Sequence, residues 1–347
     1  MRVACPCQRT LGRHLAQHLA QHLITRLPHP GLLEQDVLQA VGARQRLRKA
    51  GRCRGPGKQD YARGMKTGRW RLAWTLAGIL AVAGAGITVA HAQRIWGGFY
   101  GRTPPRFPTP DTFEGSFHFC RVMFTSDRRE KQGWGTDYPG ADINFSVRLA
   151  ELTRVRVKWT HDGEEPVPDA VVVRLTDDAL FQCPFTFMED AGTAHFSDIE
   201  VARLREYLLK GGFLLVSDYH GTRAREQFDY EIGRALPRGE FPIVDLTPPD
   251  HAIWRTMFQV TRLPQMASIQ TWRRSGGGTL ERWNDDGAGP DARGIADAHG
   301  RLMVVMVHNT DMPDGWEREG EDPEYFFSFS PDAYAVGINI VLYAMTH

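Results

Sequence analysis

Apolar and polar positions change period several times along the chain, and each change predicts an element. Residues 117–124 alternate well enough for a strand. Over 142–152, Phe145, Leu149 and Leu152 recur at helical spacing. Val155, Val157 and Trp159 alternate with charges, which predicts a strand near a sheet edge. Val171, Val172 and Val173, after Pro168-Asp169, predict a buried strand ending at Thr176. Ser197 and Glu200 form an S-x-x-E capping box, and Val201, Leu204 and Leu208 mark the buried face of the helix it starts. Gly211-Gly212 stops that helix, because glycine accepts the left-handed conformation required there. Phe213-Leu214-Leu215-Val216 is apolar at every position, as in a strand covered on both faces. Helix, glycine pair, buried strand and polar loop together predict an α/β fold with a mostly parallel sheet. Residues 223–236 predict a helix stopped by Pro237, and 302–307 a further apolar strand. Ser330-Pro331 predicts the cap of a closing helix over 333–343. The Gly- and Asp-rich stretch 273–300 predicts an irregular insertion.

The pattern is different upstream. Residues 93–115 hold Gly97, Gly98, Gly101, Pro104, Pro105, Pro108 and Pro110, too many breakers for regular structure, and read as a tether. In 65–92, Lys66, Arg69 and Arg71 precede an apolar run that ends in Ala90-His91-Ala92, the layout of a secretory signal peptide. The run also suits a membrane anchor over 70–89. Cleavage after Ala92 and retention as an anchor both stand, and both send 93–347 across the membrane, to the periplasm or the outer face of the cytoplasmic membrane. Because such a signal belongs at a start, translation is expected to begin at Met65, with 1–64 a disordered leader. Within that leader, His14, His18 and His22 would share a helix face, a metal site beside Cys5 and Cys7. The competing reading is low complexity.

Charge sharpens this division. The 347-residue chain has a formal net charge of +1. Residues 1–64 hold 12 Lys and Arg against Glu34, Asp36 and Asp60, whereas 93–347 hold 27 basic and 38 acidic side chains. A basic leader precedes an acidic body, and an acidic body excludes nucleic acid as the partner. Beyond the signal only Cys120 and Cys183 remain, free to pair in an oxidising compartment or to act as small buried hydrophobes.

Ligands of open parallel sheets bind beyond the carboxyl ends of the strands. That rule selects Asp137 and Tyr138 after the first strand, Asp177 and Asp178 after the Ala170 strand, Asp218 and His220 after the Phe213 strand, and Asn309 and Asp311 after the Leu302 strand. Asp177, Asp178, Asp218 and His220 suit a divalent cation. Asp218 and His220 suit an acid–base pair, since imidazole titrates near neutral pH. The structural alternative is that these aspartates cap helices and hold loops. No G-x-G-x-x-G, Walker A or G-x-S-x-G motif is present, so no nucleotide loop or serine elbow is expected.

Several phrases carry a resemblance: Leu204-x-x-Tyr207-Leu208-x-x-Gly211-Gly212-Phe213-Leu214 with Asp218-x-His220-Gly221; Trp134-x-x-Asp137-Tyr138-Pro139 with Asp142; and Leu180-x-x-Cys183-Pro184-Phe185. Ala333-Tyr334-x-x-Gly337-x-Asn339 and Tyr343-Ala344-x-Thr346 complete the set. Over 116–347 the chain resembles the bacterial domain of unknown function 4159 family. The resemblance implies a class I glutamine amidotransferase-like fold, a flavodoxin-like three-layer α/β sandwich. In active amidotransferases a cysteine occupies a sharp turn after a central strand; here Ser217-Asp218 stands there, where the family tends towards a second acid. Amidotransferase chemistry is therefore not expected. The expectation is a non-catalytic envelope module that binds a glycan or protein partner at the strand-end crevice, without a cofactor. The alternative is a hydrolase of an envelope glycan or peptide that uses Asp218 and His220, with or without a divalent metal.

Overall fold

The computed structural model describes residues 103–127, 133–161, 166–281, 284–285 and 287–347. The leader 1–64, its His14, His18 and His22 group, and the signal or anchor 65–92 with its span 70–89 lie outside the described residues. Among the described residues, no helix is long and apolar enough to cross a membrane.

The first strand, β1 (Phe119–Met123), leads into a loop and α1 (Gly140–Leu152). There follow β2 (Ala170–Arg174), β3 (Thr186–Glu189), α2 (Asp198–Leu209), β4 (Leu214–Ser217), α3 (Gly221–Ala235) and β5 (Ile243–Asp245). The last third holds α4 (Ile269–Ser275), β6 (Asp291–Ala296), β7 (Leu302–His308), α5 (Met312–Glu317) and α6 (Pro323–Thr346). The seven strands form one sheet in the order β2-β1-β3-β4-β7-β6-β5. The five from β2 to β7 run parallel, and β6 and β5 add an antiparallel edge. This is a mixed α/β fold with a mostly parallel sheet flanked by helices.

Strand alternation assigns the two faces. Phe119, Phe187, Leu215 and Val305 join Phe145, Trp316 and Tyr334 in the core beneath α1, α5 and α6. Cys120, Val122, Leu214, Val216 and Val304 are equally buried and point the other way, towards the α2 and α3 layer. Burying large apolar side chains on both faces, at about 1.5–3 kcal/mol each, gives the central strands their continuous apolar runs. α6 needs Gly337 because a Cβ there would sit 2.7 Å from the Phe145 ring and 2.8 Å from Trp316. Cys120 on β1 is disulfide-bonded to Cys183 in the approach to β3.

The capping box of α2 forms as read, Ser197 accepting from the Glu200 amide and Glu200 from the Ser197 amide. Gly211, at φ 104°, follows the helix. Three expectations need correction. Ser330-Pro331 lies inside α6, which starts eight residues earlier with Asp322 as its cap and Pro323 in its first turn. The stretch 273–300 contains strand β6, whose Arg293 is paired with Asp229, so its charge reads as loop while its backbone is laddered. The strand expected around Val155–Trp159 shrinks to a Trp159–Thr160 pairing with Val167–Pro168. The Pro-rich stretch before residue 116 has no helix or strand where described, yet it is bound. Arg106 accepts from the Val172 amide at 2.8 Å and its guanidinium meets Asp169 at 3.0 Å, covering the β2 edge.

Candidate functional site

Three neighbouring strands end in the same way. β3, β4 and β7 are followed at once by Asp190, Asp218 and Asn309, with φ of 51°, 54° and 57°. Asp137, between β1 and α1, has φ 56°, and these four are the non-glycine residues with positive φ among the described residues. The left-handed region costs an L-residue about 1–2 kcal/mol, which Asp and Asn offset in part by local hydrogen bonds. Strain is thus concentrated along one rim, at the carboxyl ends of the parallel strands.

A cleft of about 330 Å³ opens there. Thr136, Asp137, Asp190, Asp218, Tyr219 and His220 line it together with Ser268, Gln270, Arg274, Glu281, Asp311, Asp314 and Arg318. Six carboxyl groups face two guanidinium groups and one imidazole. Asp218 Oδ1 lies 3.1 Å from His220 Nε2. His220 is almost fully enclosed, and its Nδ1 has no hydrogen-bond partner among the described residues.

Behind Thr136 and Asp137 lies a buried ion network. Arg121, on β1, donates from Nε to both Asp142 oxygens, at 3.1 and 2.9 Å, and from Nη1 to the carbonyls of Trp134 and Thr136. It also pairs with one oxygen of Glu189. Burial works against the Arg121 charge, but Asp142 and Glu189 hold the guanidinium firmly protonated. The hydroxyl of Ser217, the register partner of Glu189, has no hydrogen-bond partner; Glu189 and Asp137 lack an outside donor at Oε1 and Oδ2 and bond to each other when one keeps its proton.

Carboxylate oxygens of Asp137, Glu189 and Asp311 all lie within 4.8 Å of one another, as do those of Asp137, Asp314 and Glu317. Burial pushes Asp137 well above the usual carboxylate range, with Asp314 and Glu317 adding to it. Burial raises Glu189 against the pull of Arg121. Burial, then Asp218, Asp314 and Asp137, raises Asp311. Burial pushes Asp314 up to about 6. Carboxyls raised together are short of positive charge, and they respond by holding protons or taking a cation. An all-oxygen donor set of this kind suits Mg²⁺, Mn²⁺ or Ca²⁺.

Of the residues selected from the sequence, Asp137, Asp218, His220 and Asp311 converge on the cleft. Asp311 also caps α5 by accepting from the Asp314 amide, so the capping role and the cleft position coincide. Four others are placed differently. Asp177 and Asp178 follow β2, the edge strand, away from the cleft: Asp177 accepts from the Arg174 amide and Asp178 is an exposed partner of Arg203. Tyr138 accepts from the Arg106 amide through its hydroxyl. Asn309 accepts from the Gly221 amide and holds the start of α3. Sequence reasoning missed Glu189, Asp190, Asp314 and Arg121. The run Phe185–Met188 ahead of Glu189-Asp190 was the available signal, a short apolar strand with acids at its carboxyl end.

The model of the family described as Domain of unknown function (DUF4159) matches residues 118–345. A search of curated proteins finds no match.

Proposed function

We propose, for a chain that belongs to the DUF4159 family, that the acidic cleft holds one divalent cation and supports hydrolysis of an envelope glycan or peptide. One observation carries this reading. Asp137, Glu189 and Asp311 come from three separate segments, yet their oxygens gather within 4.8 Å of one another, beside a buried Ser217 hydroxyl that has no hydrogen-bond partner. Carboxyls so close in a buried setting keep protons or take a counter-charge, and a cation is the counter-charge this reading supplies. A bound cation would polarise a substrate oxygen and make an adjacent water more acidic.

Asp218 and His220 supply the acid–base part. Both residues line the cleft and are joined Oδ1 to Nε2 at 3.1 Å, so a proton can pass between them at the cleft wall. Asp218 occupies a left-handed turn directly after a central strand. The parallel core with helices on both faces supports a flavodoxin-like three-layer sandwich of the class I glutamine amidotransferase-like kind. In that fold the turn would hold the nucleophilic cysteine. Both body cysteines are instead bonded to each other, which supports the reading against thiol chemistry. The disulfide also favours an oxidising compartment, and hence an exported body, whether 70–89 remains an anchor or is removed.

A binding-only envelope module is the second reading. It is favoured by the structural duties of the acids, since Asp314 accepts from the Ile269 amide and the Tyr325 hydroxyl. The test incubates the full chain with peptidoglycan-type glycan and peptide polymers in Mg²⁺ or Mn²⁺ and measures new reducing ends and amines. Turnover abolished by chelator and by Asp218→Asn supports the hydrolase. Cation binding with no turnover above the Asp218→Asn background selects the binding module.

A further inference from the structure

The two acid groups at the cleft share Asp137, and their neighbours differ in one respect. In the first, with Glu189 and Asp311, Arg121 engages Glu189 through one oxygen only and is otherwise committed to Asp142 and to the carbonyls of Trp134 and Thr136. The fully buried Ser217 hydroxyl, beside Glu189 on the neighbouring strand, has no partner, and Glu189 has only another carboxyl, Asp137, to bond through Oε1. In the second, with Asp314 and Glu317, a guanidinium is already seated. Arg318 Nε lies 3.2 Å from Asp314 Oδ1 and 2.7 Å from Glu317 Oε2, and the charge of Arg318 is also felt at Asp137. Asp314 cannot turn away, because its other oxygen is held by Ile269 and Tyr325.

Two carboxylate groups joined by a shared carboxylate form the frame of a two-cation centre, in which adjacent ions stabilise attacking and leaving oxygens. We infer that Arg318 stands in the second cation place of such a frame, so that the centre takes one exchangeable ion beside one tethered positive charge. This rests on the cation reading of the cleft given above. Its consequence is specific. Arg318 sets the ion count at one, and removing its charge opens the second place to a metal.

The test is Mn²⁺ binding to the full chain by equilibrium dialysis, with no other ligand. The expected stoichiometry is one ion in the wild type, two in Arg318→Met and one in Arg318→Lys. In the double variant Arg318→Met, Glu317→Gln it returns to one. A wild type that binds two ions, or an Arg318→Met that folds and binds only one, overturns the inference and leaves the cation reading standing. A wild type that binds none removes both. If Arg318→Met does not fold, Glu317→Gln alone decides. Affinity for the single ion within about threefold of wild type supports two separate places; a tenfold loss merges them and overturns the inference.

Discussion

Asp218 and His220 are bonded side chain to side chain, Oδ1 to Nε2 at 3.1 Å, across a turn in which Asp218 itself is left-handed. The residue that orients the histidine therefore occupies a backbone conformation that favours glycine. Asp218→Gly is expected to hold stability or raise it by up to about 1 kcal/mol, because glycine enters this region without steric cost. It abolishes turnover at the same time. Asp218→Val loses turnover and also about 1–2 kcal/mol. Urea unfolding beside the polymer assay measures both, and a Gly variant less stable than the Val variant contradicts the strain argument.

Arg121 is the positive charge under the cleft, fully enclosed by Asp142 and Glu189. Removing one partner of a buried ion network leaves the others uncompensated, at about 3–5 kcal/mol. Arg121→Met is expected to lose stability on that scale, and Asp142→Asn in the Arg121→Met background to recover part of it. Chemical denaturation of the four proteins in this cycle reads the coupling. Additive losses would argue that the network is not a unit.

The Cys120–Cys183 bond closes a loop across 63 residues of sequence. Cys120→Ala with Cys183→Ala should cost about 2–4 kcal/mol, measured by the urea midpoint. Non-reducing peptide maps of protein from its native cells should contain the linked pair. Free thiols at both positions there count against export.

His118 is buried, with Nδ1 3.7 Å from Asp169. Burial holds its imidazole below the ordinary value of 6.5, against the opposing pull of Asp169. The unfolded chain therefore binds this proton more readily than the folded one, and stability falls as pH drops through the ordinary histidine range. The loss of unfolding free energy between pH 7.5 and 5.5 should be smaller in His118→Asn than in the wild type. Equal slopes would remove His118 from the pH response.

The elements legible in the sequence were those whose burial was one-sided or complete. Phe213–Val216 and the Ser197 capping box announced a covered strand and its helix, and both are present. β6 was hidden because Arg293 and Gly294 break its apolar pattern, although Arg293 is paired with Asp229 and the strand is hydrogen-bonded on both sides. The start of α6 was hidden by Pro331, a residue that ends most helices. Here the proline sits within a helix whose stronger signal, Asp322-Pro323, lay eight residues upstream. The strand-end rule selected Asp137, Asp218, His220 and Asp311, which line the cleft, because each follows a strand read from its apolar run. It also selected Asp177 and Asp178, because sequence does not state strand order, and β2 lies at the sheet edge. Glu189 escaped because β3 is four residues long and its last position is the acid itself.

The most direct measurement is anomalous diffraction from crystals of the protein soaked in Mn²⁺. One peak bounded by the carboxylates of Asp137, Glu189 and Asp311, and lost in Glu189→Gln, is the predicted result. A cleft without a peak at saturating Mn²⁺, in crystals that diffract well enough to see those carboxylates, would contradict the account.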